Sequence, residues 1–207
     1  IRRWLGIYPV MRLFFKIKKP KLFFVVVNED HESIIAAAKS IGIVTLELQH
    51  GSPSRGKMNY DYSSGIKNST FVDRFLSFGE HWTQNFSLPI DDSKIIPFGF
   101  PYLHEKISLY PHITKENRLV VISQIDNLKN LVNFTKKISK KFSRKIIVEY
   151  KPHPSEFYAP KPDYFKDLEN SGVIISEKDK DLYEIFARSR WQVGVYSTAL
   201  YEGLYFD

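Results

Sequence analysis

Cysteine is missing from all 207 residues, which excludes disulfide staples and thiolate metal sites and suits a reducing, cytoplasmic setting. No apolar run is long enough to form a membrane-spanning helix. The basic opening lacks a small-residue cleavage site, so it does not read as a signal peptide. Internal repeats, low-complexity tracts and a tight Asp/His cluster of the kind that holds a metal are also absent. Acidic residues are outnumbered, 23 against 30 basic ones, and tryptophan is scarce, at 3 beside 16 Phe and 12 Tyr.

What is present suffices for a core. Hydrophobic residues make up 43% of the chain, well outside a disordered composition. A chain of this length reads as one large domain or two small ones. The net charge of +7 suits an anionic partner: nucleic acid, an acidic bilayer or a sugar nucleotide. The basic residues are spread along the chain and no RRM-type aromatic motif accompanies them, so nucleic acid is not the expected partner. Local basic clusters lie at residues 16–21, 136–145 and 178–180, the last two reading as solvated faces. The opening, residues 1–21, carries Arg2, Arg3, Trp4, Tyr8, Phe14, Phe15, Lys16, Lys18 and Lys19. It reads as an amphipathic helix that either packs on the domain or makes peripheral contact with an acidic membrane face.

The apolar run at 22–28 reads as a buried parallel strand, 30–40 as a helix stopped by Gly42, and 43–48 as the next strand. That is the βαβ pattern of a parallel sheet. Residues 52–70 form a long loop, 71–78 a strand, and 79–82 the start of a short helix. Periodicity fades between Pro101 and Asn117, where a linker is expected. A second unit follows: strands at 119–123, 146–150, 173–176 and 191–195 alternate with helices at 128–142, 164–170, 181–187 and 199–205. The fold class is α/β, with two Rossmann-like lobes whose parallel sheets are flanked by helices. The expected boundaries are 1–104 for the first lobe, 105–117 for the linker and 118–207 for the second lobe.

Two motifs carry chemistry. Lys151-Pro152-His153-Pro154 follows a strand, where open parallel sheets bind ligands. The two prolines stiffen the loop, so that Lys151 offers a point charge and His153 a directional donor, a pair suited to phosphate. Ser197 and Thr198 open the last helix, whose free N–H groups and hydroxyls suit the same group. Glu202 lies one turn on, on the face of Thr198, where a carboxylate can accept from ribose hydroxyls. The bland reading is a capped helix and a solvated carboxylate.

With their order and spacing, these motifs resemble the donor-binding lobe of GT-B glycosyltransferases of bacterial surface polysaccharides, such as capsule and lipooligosaccharide sialyltransferases and Kdo transferases. Gln49-His50-Gly51, Phe78-Gly79-Glu80 and Gly99-Phe100-Pro101 resemble the acceptor-side lobe of the same enzymes. The resemblance implies an inverting, metal-independent transfer from a CMP-sugar to a growing capsule or lipopolysaccharide chain, with a glycan or glycolipid acceptor. It needs no cofactor beyond the nucleotide-sugar substrate. Lys151, His153, Pro154, Ser197 and Thr198 would meet the donor phosphate and Glu202 the ribose.

The general base that the reaction needs is sought at the end of a strand in the first lobe. His50 is the leading candidate, with Glu80 and the strand residue Glu47 behind it. Gln49, Gly51, Arg55 and Tyr60 are the expected acceptor contacts, with Lys57 beside them. Both lobes fall short of a full GT-B enzyme, so the chain reads as a fragment of a longer protein. Two other readings stay open: a CDP-polyol phosphotransferase of cell-wall polymer synthesis, and a non-catalytic nucleotide-binding module.

Overall fold

The computed structural model describes residues 2–51, 60–62, 65–84, 87–142, 145–158 and 162–206. The chain divides into two compact units, Ile1–Phe100 and Pro101–Asp207.

The first unit opens with helix α1 (Arg2–Lys18). Its Phe15 packs with Ala37, Ala38 and Ile43, and Tyr8 and Met11 lean on the same cluster. Strand β1 (Leu22–Val25) follows, then helix α2 (Glu32–Lys39). Three consecutive alanines favour α2, and it stops where the chain needs a left-handed residue. Gly42 supplies φ 80°, and the Ile43 N–H returns to the Ala38 carbonyl at 3.1 Å. Strands β2 (Val44–Leu48), β3 (Arg74–Ser77) and β4 (Ile95–Pro97) complete a parallel sheet in the order β1-β2-β3-β4. Val25, Ile35, Phe71, Val72 and Phe75 form the core on one face. On the other face Leu22, Phe24 and Val44 stay exposed.

The second unit opens on a helix, α3 (Pro101–Ser108), inside the stretch where periodicity fades. Pro101 stands at its first position, where the missing N–H costs nothing, so the proline starts a helix here. Strand β5 (Glu116–Ile122), helix α4 (Leu128–Phe142), strand β6 (Ile147–Lys151), helix α5 (Asp163–Glu169), strand β7 (Ile174–Ile175), helix α6 (Leu182–Arg188), strand β8 (Ser189–Val193) and helix α7 (Thr198–Gly203) follow. The sheet is parallel, in the order β7-β6-β5-β8. The amphipathic α4 buries Leu131, Val132, Thr135 and Ser139 and leaves most of its lysines in water. Val121, Val148, Tyr150, Phe165 and Leu168 fill the core under it.

Strand order keeps the two motifs apart. The strands that carry the two phosphate motifs, β6 and β8, are not neighbours, because β5 lies between them. The chain runs outward from β5 through β6 to β7, then returns to the far side of β5 as β8. That reversal makes the β5/β8 pair a topological switch point, whose carboxyl edge is the usual ligand crevice of an open α/β sheet.

Candidate functional site

At the carboxyl edge of the second sheet, the loops after β5, β6 and β8 emerge on one side. The sheet packs them closely: strand spacing puts the ends of β6 and β8 roughly 10 Å apart across β5. The Ser123 N–H donates to the Lys151 carbonyl at 3.0 Å, and the Ser123 and Tyr150 hydroxyls are hydrogen-bonded to each other at 2.8 Å, joining the β5 and β6 loops. On the other side the Tyr196 hydroxyl donates to Asp126 Oδ2 at 3.0 Å, joining the β5 and β8 loops. A Cβ on Gly194 would meet Leu200 at 3.1 Å and the Ile122 carbonyl at 3.3 Å, so glycine is what lets the ends of β8 and β5 come this close.

The His153 loop is locked from beneath. His153 caps a short 3₁₀ turn, Pro154–Phe157, with Pro154 at its first position. Its Nδ1 receives the Ser155 backbone N–H at 3.2 Å and faces the Ser155 hydroxyl at 2.7 Å. An accepting Nδ1 leaves the proton of a neutral ring on Nε2, a donor on an exposed side chain. Glu156 is buried and ties the loop down: it accepts from the His153 N–H at 2.5 Å, the Tyr164 hydroxyl at 2.5 Å and the Tyr150 hydroxyl at 3.2 Å.

Lys151 is committed elsewhere. Its ammonium donates to the carbonyls of Lys180 at 2.7 Å and Glu177 at 3.2 Å, and burial pushes its pKa below the ordinary lysine range. Two of its three N–H groups therefore fasten the β7–α6 loop to the end of β6. Ser197 caps α7 by accepting the Ala199 N–H at 3.3 Å, and Thr198 is the first residue of that helix. Glu202 accepts the Tyr183 hydroxyl at 2.5 Å, which orients it from α6. Residues 123–127, which belong to neither motif, thus connect the two. Their signal was an apolar strand ending in Ser-Gln at 123–124.

In the first unit, Gln49 and Glu47 are structural anchors beside the exposed His50. Gln49 accepts the Phe78 N–H at 2.8 Å and donates to the Gly51 carbonyl at 2.8 Å, so it pins the loop after β2 to the loop after β3. Glu47 is fully buried and receives the Tyr60 hydroxyl at 2.6 Å and the Asn28 amide at 2.7 Å. Burial raises its carboxyl to about 7, against the opposing pull of those two donors. Tyr60 is accordingly a core residue, 6% exposed, rather than a surface contact. Arg55, like Lys57, lies outside the described residues. Glu80 is exposed at the start of a 3₁₀ turn after β3 and lines an open cavity of about 680 Å³ with Lys67, Ser77, Thr83, Gln84 and Asp92. Gly99, after β4, takes φ 86° and lets Phe100 stack on Phe78 with ring centroids 4.2 Å apart. Among the described residues no group of three or more His, Asp or Glu is placed to hold a metal ion.

No protein-family model and no curated protein matches this sequence. Solved structures do match its shape. A Listeria monocytogenes protein named as a UDP-N-acetylglucosamine 2-epimerase aligns with TM-score 0.60 at 12% identity over 98% of this chain and 60% of its own. The UDP-GlcNAc 2-epimerase of Neisseria meningitidis, bound to UDP-GlcNAc, aligns with TM-score 0.56 at 13% identity, over 92% of this chain and 58% of its own. The fold is GT-B-like. A glycosyltransferase from Rickettsia africae agrees, with TM-score 0.53 at 14% identity over 98% of this chain and 60% of its own. This chain thus spans about three fifths of the length of these structures, and at such identities the likeness is one of fold. No helix among the described residues is long and apolar enough to cross a membrane.

Proposed function

We propose that the second unit binds a CMP- or UDP-activated sugar at the carboxyl edge of β5, β6 and β8, and that the protein transfers the sugar to a growing capsule or lipopolysaccharide chain. The observation that carries this reading is the locked His153 loop beside a topological switch point, with an Nε2 donor presented where phosphate binds in such sheets. Thr198 and Ser197 would add hydroxyls to the phosphate, and Glu202, held by Tyr183, would accept from the ribose. A remaining N–H of Lys151 would face the same charge. The GT-B-like fold, which one solved relative by shape displays with UDP-GlcNAc bound, supports a sugar nucleotide as the ligand.

In the transfer itself, His50 takes the proton of the acceptor hydroxyl, the alkoxide attacks the anomeric carbon, and the nucleotide leaves with the phosphate oxygen and its electron pair. Inversion follows from that single displacement. Glu80 and the loop around Gln49 and Gly51 frame the acceptor side, with Arg55 offering a cation to an acidic acceptor. We place this transfer at the cytoplasmic face of the inner membrane. Epimerisation is the second reading, because two of the fold's solved examples bear that name. It leaves the sugar on the nucleotide, whereas transfer or hydrolysis releases CMP or UDP.

A thermal-shift panel of CMP-, CDP-, UDP- and GDP-sugars tests the site. A ligand at about 100 times its Kd stabilises the fold by about 3 kcal/mol, a shift of several degrees. We expect a pyrimidine nucleotide to produce that shift in the parent and His153→Ala to lose it. Equal shifts in both proteins contradict the assignment of the loop.

A further inference from the structure

Helix α1 carries more apolar surface than its packing uses. Phe15, Tyr8 and Met11 occupy the face that docks on α2. On the opposite face Val10, Leu13, Phe14 and Ile17 are 65%, 61%, 46% and 68% exposed. Their i, i+3, i+4, i+7 spacing makes them one continuous stripe rather than scattered exposures. Lys16 borders the stripe on one side and Lys18 on the other.

The charge around the stripe has one sign. Glu29 is the first acidic residue of the chain, and seven lysines and arginines precede it. Along the Lys16 edge, Arg12, Lys16, Tyr8, Pro9, Leu13 and Ser40 line a groove of about 320 Å³. Arg12 donates to Ser40 Oγ at 3.2 Å, which holds the guanidinium at the groove wall. An apolar stripe with a cationic groove along its border matches a phospholipid surface: acyl chains meet the stripe and headgroup phosphates meet Arg12 and Lys16. A second copy of this face would set Arg12, Lys16 and Lys18 against the same three cations, which disfavours self-association there.

We infer that α1 lies in the plane of an anionic phospholipid bilayer, with Val10, Leu13, Phe14 and Ile17 inserted among the acyl chains and Arg12 and Lys16 on headgroup phosphate. This names the surface that holds the protein at the membrane proposed above, and it is read from α1 alone.

Vesicle co-sedimentation tests it on the full chain. Vesicles of phosphatidylcholine with about 30 mol% phosphatidylglycerol should bind the parent roughly tenfold more strongly than phosphatidylcholine alone. Leu13→Glu with Phe14→Glu, both at exposed positions, should lower that binding at least roughly tenfold while circular dichroism stays unchanged. Leu13→Ser with Ile17→Ser is the milder pair and should act in the same direction. Binding that survives both stripe variants overturns the inference, and so does no binding to anionic vesicles. A dimer in sedimentation velocity that the stripe variants dissociate, with no vesicle binding, overturns it in favour of a second copy. The nucleotide thermal shift of the same variants should equal the parent's, so failure at the membrane and failure at the nucleotide site are read separately.

Discussion

Replacing Glu47 by Gln should remove most of a pH dependence from the stability of the first unit. The carboxyl is fully buried, and the donors that meet it, the Tyr60 hydroxyl and the Asn28 amide, are neutral. Burial raises it from 4.5 to about 7. The folded state therefore holds a proton that the unfolded chain has already released. Its contribution is fully present below about pH 4.5 and is lost as pH rises through about 7, amounting to about 3 kcal/mol. Glutamine keeps an acceptor for Tyr60, and Asn28 can turn its amide to offer oxygen to the new NH₂ group. Urea unfolding at about pH 5 and about pH 8 measures the difference. A Trp191→Phe background leaves Trp4 and Trp82 as fluorescence reporters, both in the first unit. The parent should lose about 2.5 kcal/mol more than Glu47→Gln between the two pH values. Parallel losses in the two proteins, within about 0.5 kcal/mol, would refute the burial argument.

Other perturbations test the second unit. Arg118 pairs with Glu116 at 2.7 Å and with the buried Glu149, so Arg118→Met strands a carboxylate and should cost about 3–5 kcal/mol in urea unfolding. Adding Glu149→Leu should recover at least half of that loss. A Cβ at Gly203 would come within 2.0 Å of Gln192 Oε1, so Gly203→Ala displaces that amide from the Leu200 carbonyl and should cost about 1 kcal/mol. Gln192→Ala should relieve part of it, and additive losses in that cycle would reject the clash.

Much of the architecture was legible because apolar runs and helical periodicity are local signals. Helix α4 occupies residues Leu128–Phe142, as its lysine-faced pattern predicts. Helix α3 leaves little trace in the sequence, because only Leu103 and Ile107 supply apolar periodicity and Pro101 reads equally well as a break. The three-residue β4 was too short to show alternation. Strand order is not a local property, so the separation of β6 from β8 by β5 could not be read from their motifs. Partners set by tertiary structure were equally hidden. Lys151 spends two N–H groups on backbone carbonyls across the β7–α6 loop, and Tyr60 turns inward to Glu47. The His153 loop was legible as rigid because prolines announce it, but Glu156, the residue that anchors it, carries no such signal.

A sugar nucleotide bound at the carboxyl edge of the second sheet should perturb the residues around it. Amide chemical-shift mapping during titration with CMP-sugar and UDP-sugar tests it residue by residue. The largest changes should cluster at Ser123, Gln124, His153, Ser155, Ser197 and Thr198. Changes concentrated at the opposite edge, around Glu116, Ile147 and Ser189, or no saturable change with either nucleotide, would contradict it.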